Sequence, residues 1–186
     1  STILPKYKFI YFFNMQDDMK DALDVKWSDI KSPTMNPEDY VEKYKDKEIM
    51  MQRFEEYQPK EGVLTKIRDF LQENHEKLKI LAIGASWCHD CADEVPRMIK
   101  IAMQLSDLVD FRVLYGVRVD PYDRKNGVRW SKRHSPPEAT DPQFDLKKIP
   151  ILFIFNNEGT FIGRIVEHAS HTDTLEGDLL HYLKNA

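Results

Sequence analysis

The stretch ILAIGASWCHDCADEVPRM, from Ile80 to Met98, changes its apolar rhythm at Cys88. Ahead of that point, Leu78 to Ala85 is a short apolar run with little polar interruption, the pattern of a strand buried on both faces. Behind it, from Cys91 to Leu105, Val95, Met98, Ile99, Ala102 and Leu105 recur on one face of a helix. The only two cysteines of the chain, Cys88 and Cys91, therefore stand where a buried strand hands over to a helix, with His89 and Asp90 between them. Free backbone N–H groups and the positive end of the helix dipole favour an anion at such a start. A thiolate is the reactive form of cysteine, so Cys88 is expected to be the attacking sulfur. Cys91 lies one turn further in on the same side, placed to resolve a mixed disulfide.

Two other readings of the pair compete. A structural zinc site needs four Cys or His ligands, commonly as two spaced pairs. There is no second cysteine pair, and His75, His134, His168, His171 and His181 show no ligand spacing, so no metal is expected and no cofactor is called for. Inert buried cysteines suit isolated positions better than two at this spacing on a strand-to-helix turn.

Working outward, 186 residues with 41% hydrophobic and 31% charged side chains fit a soluble globular protein of one domain plus an extension, or two small ones. A net charge of -4 argues against a general nucleic-acid binder. No run of 18 apolar residues is long enough to span a membrane, so no membrane association is expected. The opening STILPKYKFIYFFNMQDD lacks the pattern of a secretory signal, and two cysteines lean toward a reducing compartment, so a cytoplasmic location is expected.

Residues 1–58 read as a mostly helical N-terminal extension, with one apolar run, Phe9 to Phe13. Asn36 is placed to cap a helix opened by Pro37, and Tyr40, Tyr44, Met51, Phe54 and Tyr57 predict that it continues to about Tyr57. Residues 59–186 read as the main domain. Val63 to Leu71 predicts an amphipathic helix ending near His75, Phe111 to Val119 a second strand, and Ile151–Phe155 with Phe161–Val166 a hairpin through NNEG. Thr172 is the expected cap of a last helix carrying Leu175, Leu179, Tyr182 and Leu183. This order fits an α/β fold with a mixed sheet flanked by helices.

The motif Trp87-Cys88-x-x-Cys91, followed by Pro96 within the helix, resembles the active site of the thioredoxin superfamily. KKIPILFIFNNEGTFIGRIV resembles the second signature of that family, and the likeness covers about residues 60–186. Asp90 before the second cysteine is similar to a subgroup with Trp-Cys-x-Asp-Cys. The resemblance implies a thioredoxin-like fold, a cis Ile149–Pro150 bond facing the cysteines, and substrate contacts from Trp87, His89, Ile149 and Pro150. It also implies that Gly163 keeps a side chain out of the substrate groove. Two departures stand out. The family's buried acid before the motif falls at Ala82, and its partner lysine at Gly116, so both members of that pair are missing together. Losing both is coherent, because either alone would be an uncompensated buried charge.

With that acid missing, Asp90 becomes a candidate base toward Cys91, against the simpler reading of an acid that favours the helix dipole. Protonated His89 would stabilise a Cys88 thiolate, whereas the Asp90 carboxylate would oppose it; the simpler reading of His89 is an exposed side chain that serves partner fit. Glu94 is read as helix decoration. Residues 121–148 form an insertion in which Arg124, Lys125, Arg129, Lys132 and Arg133 interleave with Tyr122 and Trp130. It reads as a lid that favours acidic partners, or as a solvated loop whose Trp130 packs on the core. The expected function is thiol–disulfide oxidoreduction, reducing protein or small-molecule disulfides with an unidentified electron donor. The alternative is a redox sensor or binding module for one dedicated partner.

Overall fold

A computed structural model describes residues 22–122 and 129–186. The Phe9–Phe13 run and two members of the basic cluster, Arg124 and Lys125, lie outside the described residues. Four strands form one mixed sheet: β1 (Leu78–Gly84), β2 (Val109–Tyr115), β3 (Ile151–Phe155) and β4 (Phe161–Val166), in the order β2-β1-β3-β4. β1 pairs parallel with β2 and antiparallel with β3, and β3 pairs antiparallel with β4. Ile80, Leu81, Ala82 and Ile83 are fully buried, as a central strand covered on both faces requires. The second strand is shorter than the sequence pattern suggests. Gly116 follows it with a φ of 115°, a turn-forming conformation open to glycine, and Val119 makes only an isolated bridge to Trp130.

Six helices complete the described chain: α1 (Pro37–Tyr44), α2 (Glu48–Glu56), α3 (Glu61–Glu73), α4 (His89–Leu105), the short α5 (Pro137–Thr140) and α6 (Leu175–Lys184). Asn36 caps α1 as expected, its side chain accepting the Asp39 N–H at 2.8 Å. The helix expected to reach Tyr57 without a break is two helices. Lys45, Asp46 and Lys47 hold no apolar side chain to bury, and the chain turns there with Lys47 N–H donating to the Tyr44 carbonyl. The last helix is capped by Thr174, not Thr172: the Thr174 hydroxyl accepts from Gly177 N–H at 3.1 Å. Thr172 instead donates from its hydroxyl and its backbone to the buried Asp178 carboxylate.

The described part of the N-terminal segment is woven onto the sheet. Lys26 bridges Thr160 beyond one end, and Met35 exchanges two 2.9 Å backbone hydrogen bonds with Val113 on the β2 edge. Glu138 fastens the span between them by accepting the Lys31 and Ser32 N–H groups at 3.0 and 3.1 Å, together with the Ser32 hydroxyl. From there α1 packs on β2, and α2 runs beside α4. Gly163 has a structural explanation different from the expected one. A Cβ there would meet the Tyr182 ring at 2.1 Å, so the glycine makes room for α6 and not for substrate.

Candidate active site

The cysteines sit where β1 meets α4. Cys88 is the N-cap of α4, its sulfur accepting the Cys91 N–H at 3.3 Å. It keeps 8% of its surface exposed, whereas Cys91 is fully enclosed. The Cys91 thiol, hydrogen-bonded to Cys88, is the largest influence on Cys88 and outweighs its partial burial; the N–H groups of Cys91 and Asp90 add to it. Together they bring Cys88 down to about 7, where much of it is thiolate at neutral pH. The same hydrogen bond holds the proton on Cys91, and burial adds to that, so Cys91 lies well above the ordinary thiol range. One sulfur is thiolate in good part at neutral pH; the other keeps its proton.

The Ile149–Pro150 peptide is cis, and the Ile149 carbonyl stands 3.7 Å from Cys88 Sγ. Trp87 is half exposed beside the sulfur, with its indole N–H held by the Val117 carbonyl at 2.8 Å. Trp87, Cys88, Ile149 and Pro150 are thus brought together from two loops far apart in sequence. His89 projects into solvent and turns along α4 toward Asp93, 3.5 Å away, which also accepts from Arg53 at 2.8 Å. His89 is not among the groups that move the Cys88 thiol. Asp90 is partly exposed and 3.7 Å from His168, and its carboxylate disfavours both thiolates. Glu94, read as decoration, is buried and joins Arg97 at 2.8 Å with His168 at 3.4 Å.

Behind Cys91 lies a wall that sequence reasoning missed. Gly84 pairs in register with Tyr115. A Cβ built on Gly84 would meet Cys91 Sγ at 2.7 Å and Tyr115 Cε1 at 3.1 Å, so the sulfur and the ring edge are neighbours over that glycine. Tyr115 in turn meets Tyr40 and Tyr44 of α1 at ring separations of 5.7 and 5.9 Å. The helical spacing of Tyr40 and Tyr44 was visible, but nothing local tied that helix to Cys91, far along the chain. Ala82, in the place of the family's acid, is fully buried and registers between Val113 and Leu152. A carboxylate there would find carbon on both sides.

No group of His, Cys, Asp and Glu suited to a metal occurs among the described residues, and no described helix is long and apolar enough to cross a membrane. In the insertion, Trp130 is partly buried against the core and donates to the Leu146 carbonyl at 2.6 Å, while Tyr122 stands almost fully exposed.

Residues 34–116 match the sequence profile of a thioredoxin family. That match and the mixed four-stranded sheet flanked by helices agree with a thioredoxin-like fold. The matched span starts at Thr34, inside the segment read from the sequence as an extension, and includes α1 and both cysteines. A protein of unknown function from Pseudomonas aeruginosa shares the fold at 13% identity and a TM-score of 0.59, over 87% of this chain and 98% of that one. An HIV epitope-scaffold is similar at 15% identity and a TM-score of 0.58, over 87% of this chain and 99% of the scaffold. No curated protein matches in sequence.

Proposed function

We propose that the protein is a thiol–disulfide oxidoreductase that reduces protein disulfides by dithiol–disulfide exchange. The observation that carries this reading is the division of labour between the sulfurs: a partly exposed Cys88 lowered to about 7 and an enclosed, protonated Cys91 behind it. The Cys88 thiolate attacks one sulfur of the substrate disulfide. The substrate S–S bond breaks, its electron pair leaves on the second sulfur, and that sulfur takes up a proton. Cys91 then loses its proton and attacks Cys88 Sγ, releasing the first substrate sulfur as a thiol. The protein dithiol has become a disulfide, and the substrate has gained two electrons and two protons.

Trp87, Ile149 and Pro150 form the rim against which an extended substrate segment lies, with the backbone beside the cis bond as its pairing edge. Asp90 sets the thiol equilibria as a negative charge, a role its effect on both sulfurs supports better than that of a base. A reductant of this kind suits a reducing compartment such as the cytoplasm, and it requires a separate donor to restore the dithiol.

Insulin reduction tests the reading. The dithiol protein is expected to reduce insulin catalytically with dithiothreitol as donor, and Cys88→Ser to abolish turnover. Cys91→Ser is expected to stall as a mixed disulfide on Cys88. A Cys88→Ser variant with full turnover would overturn the assignment.

A further inference from the structure

The redox reading leaves one gap: something must stabilise the charge that develops on enclosed Cys91 as it attacks, and Ala82 offers no polar atom. Tyr40 and Tyr115 meet hydroxyl to hydroxyl at 3.2 Å. Two hydroxyls carry two protons, and their mutual bond uses one. Among the described residues the other proton has no acceptor. Tyr40 is fully buried, and a Cβ on Gly84 would lie 2.7 Å from Cys91 Sγ and 3.1 Å from Tyr115 Cε1, so the sulfur and the ring edge flank the same glycine and a side chain there would crowd both.

We infer that the Tyr40–Tyr115 hydroxyl pair serves Cys91 in place of the missing buried acid, donating its spare O–H toward the sulfur as the mixed disulfide resolves. The inference rests on the thiol–disulfide reading of the site. In the resolving step Cys91 gives its proton to solvent, the bond from Cys91 Sγ to Cys88 Sγ forms, and the bond from Cys88 Sγ to the substrate sulfur breaks. The electron pair departs on that substrate sulfur, which is protonated from solvent. The tyrosines transfer no proton. They supply a neutral donor to a sulfur that is briefly charged, and a neutral donor suits an enclosed site where a lone carboxylate would be costly.

Burial pushes both phenols above their ordinary range, so they remain protonated donors at neutral pH. The titratable groups that act with Cys91 are then Cys88 at the cap of α4, Asp90 on α4, Tyr115 on β2 and Tyr40 on α1. Tyr40 acts through Tyr115 or beside it as a positioning residue. It is also the contribution of the N-terminal segment to the site.

A symmetric aromatic disulfide that releases one coloured thiolate per step separates the two reactions in stopped flow. Attack by Cys88 scales with reagent concentration, whereas resolution by Cys91 does not. A hydrogen bond to a charged group corresponds to about tenfold in rate. Tyr115→Phe and Tyr40→Phe are therefore expected to slow resolution by up to about tenfold and to displace its pH profile upward, leaving attack unchanged. Tyr44→Phe, in the same ring cluster but outside the hydroxyl pair, is expected to resolve at the wild-type rate. Resolution with an unaltered rate and pH profile in whichever of the two Phe variants folds would overturn the inference, as would equal slowing of attack and resolution. Wild-type protein that releases no first thiolate would instead overturn the redox reading itself.

Discussion

Replacing Cys91 with alanine tests the electrostatics of the site at its strongest contact. The Cys91 thiol, hydrogen-bonded to the Cys88 sulfur, is the largest single reason that Cys88 falls to about 7. An ordinary cysteine titrates near 8.5 and is only a few per cent thiolate at neutral pH, whereas a group at about 7 is roughly half thiolate there. Cys91→Ala removes that donor and keeps the backbone N–H, 3.3 Å from the sulfur. The Cys88 midpoint should therefore rise most of the way toward its ordinary value, and attack at pH 7 should slow by up to about tenfold. Cys88 is then the only cysteine in the chain, so alkylation by iodoacetamide across a pH series reads it alone. The two proteins should converge above about pH 9, where both are mostly thiolate. A midpoint that stays near 7 would refute the reasoning and assign the effect to the helix start.

Asp90→Asn removes a carboxylate that disfavours both thiolates, so alkylation of Cys88 at pH 6 should quicken severalfold; an unchanged or slower reaction would contradict that electrostatic role. Gly163→Ala drives a methyl into the Tyr182 ring and should cost about 1–3 kcal/mol in urea unfolding, with no loss reading against that packing. Glu138 is buried, which opposes its charge, but hydrogen bonds from Ser32 and the backbone win and lower it below the usual carboxyl range. A depressed carboxyl contributes stability above its unfolded value of about 4.3, and that stability is lost as pH falls through the folded value. Glu138→Gln should thus cost about 1–3 kcal/mol near pH 7 and progressively less below about pH 4; an equal cost at both would contradict the ionic origin.

The setting of the cysteine pair was legible in the sequence because it is local. Cys88 and Cys91 announce themselves by spacing, and Leu78–Ala85 shows the buried strand that aims them. The Ile149–Pro150 step was found through family likeness, since no local rule links it to a cysteine 61 residues away. Boundaries failed where the signal was not periodic. Lys45–Lys47 breaks a helix by having nothing to bury, and Thr174 displaced Thr172 as cap because Asp178 engages Thr172. The tyrosine wall stayed hidden for a tertiary reason. Tyr40, Gly84 and Tyr115 belong to three elements, and only the parallel pairing of β1 with β2 and the docking of α1 bring them to Cys91. The missing acid at Ala82 was visible; what stands behind the sulfur instead was not.

The account turns on Cys88 and Cys91 forming one reversible redox couple. Equilibrating the protein across a glutathione or dithiothreitol series, trapping free thiols by alkylation and counting them by mass measures that couple directly. A single two-electron transition between dithiol and intramolecular disulfide, near the potential of about -270 mV typical of thioredoxin, is the predicted result. A value near -120 mV would mark an oxidant, and thiols that never pair within one chain would contradict the account at its root.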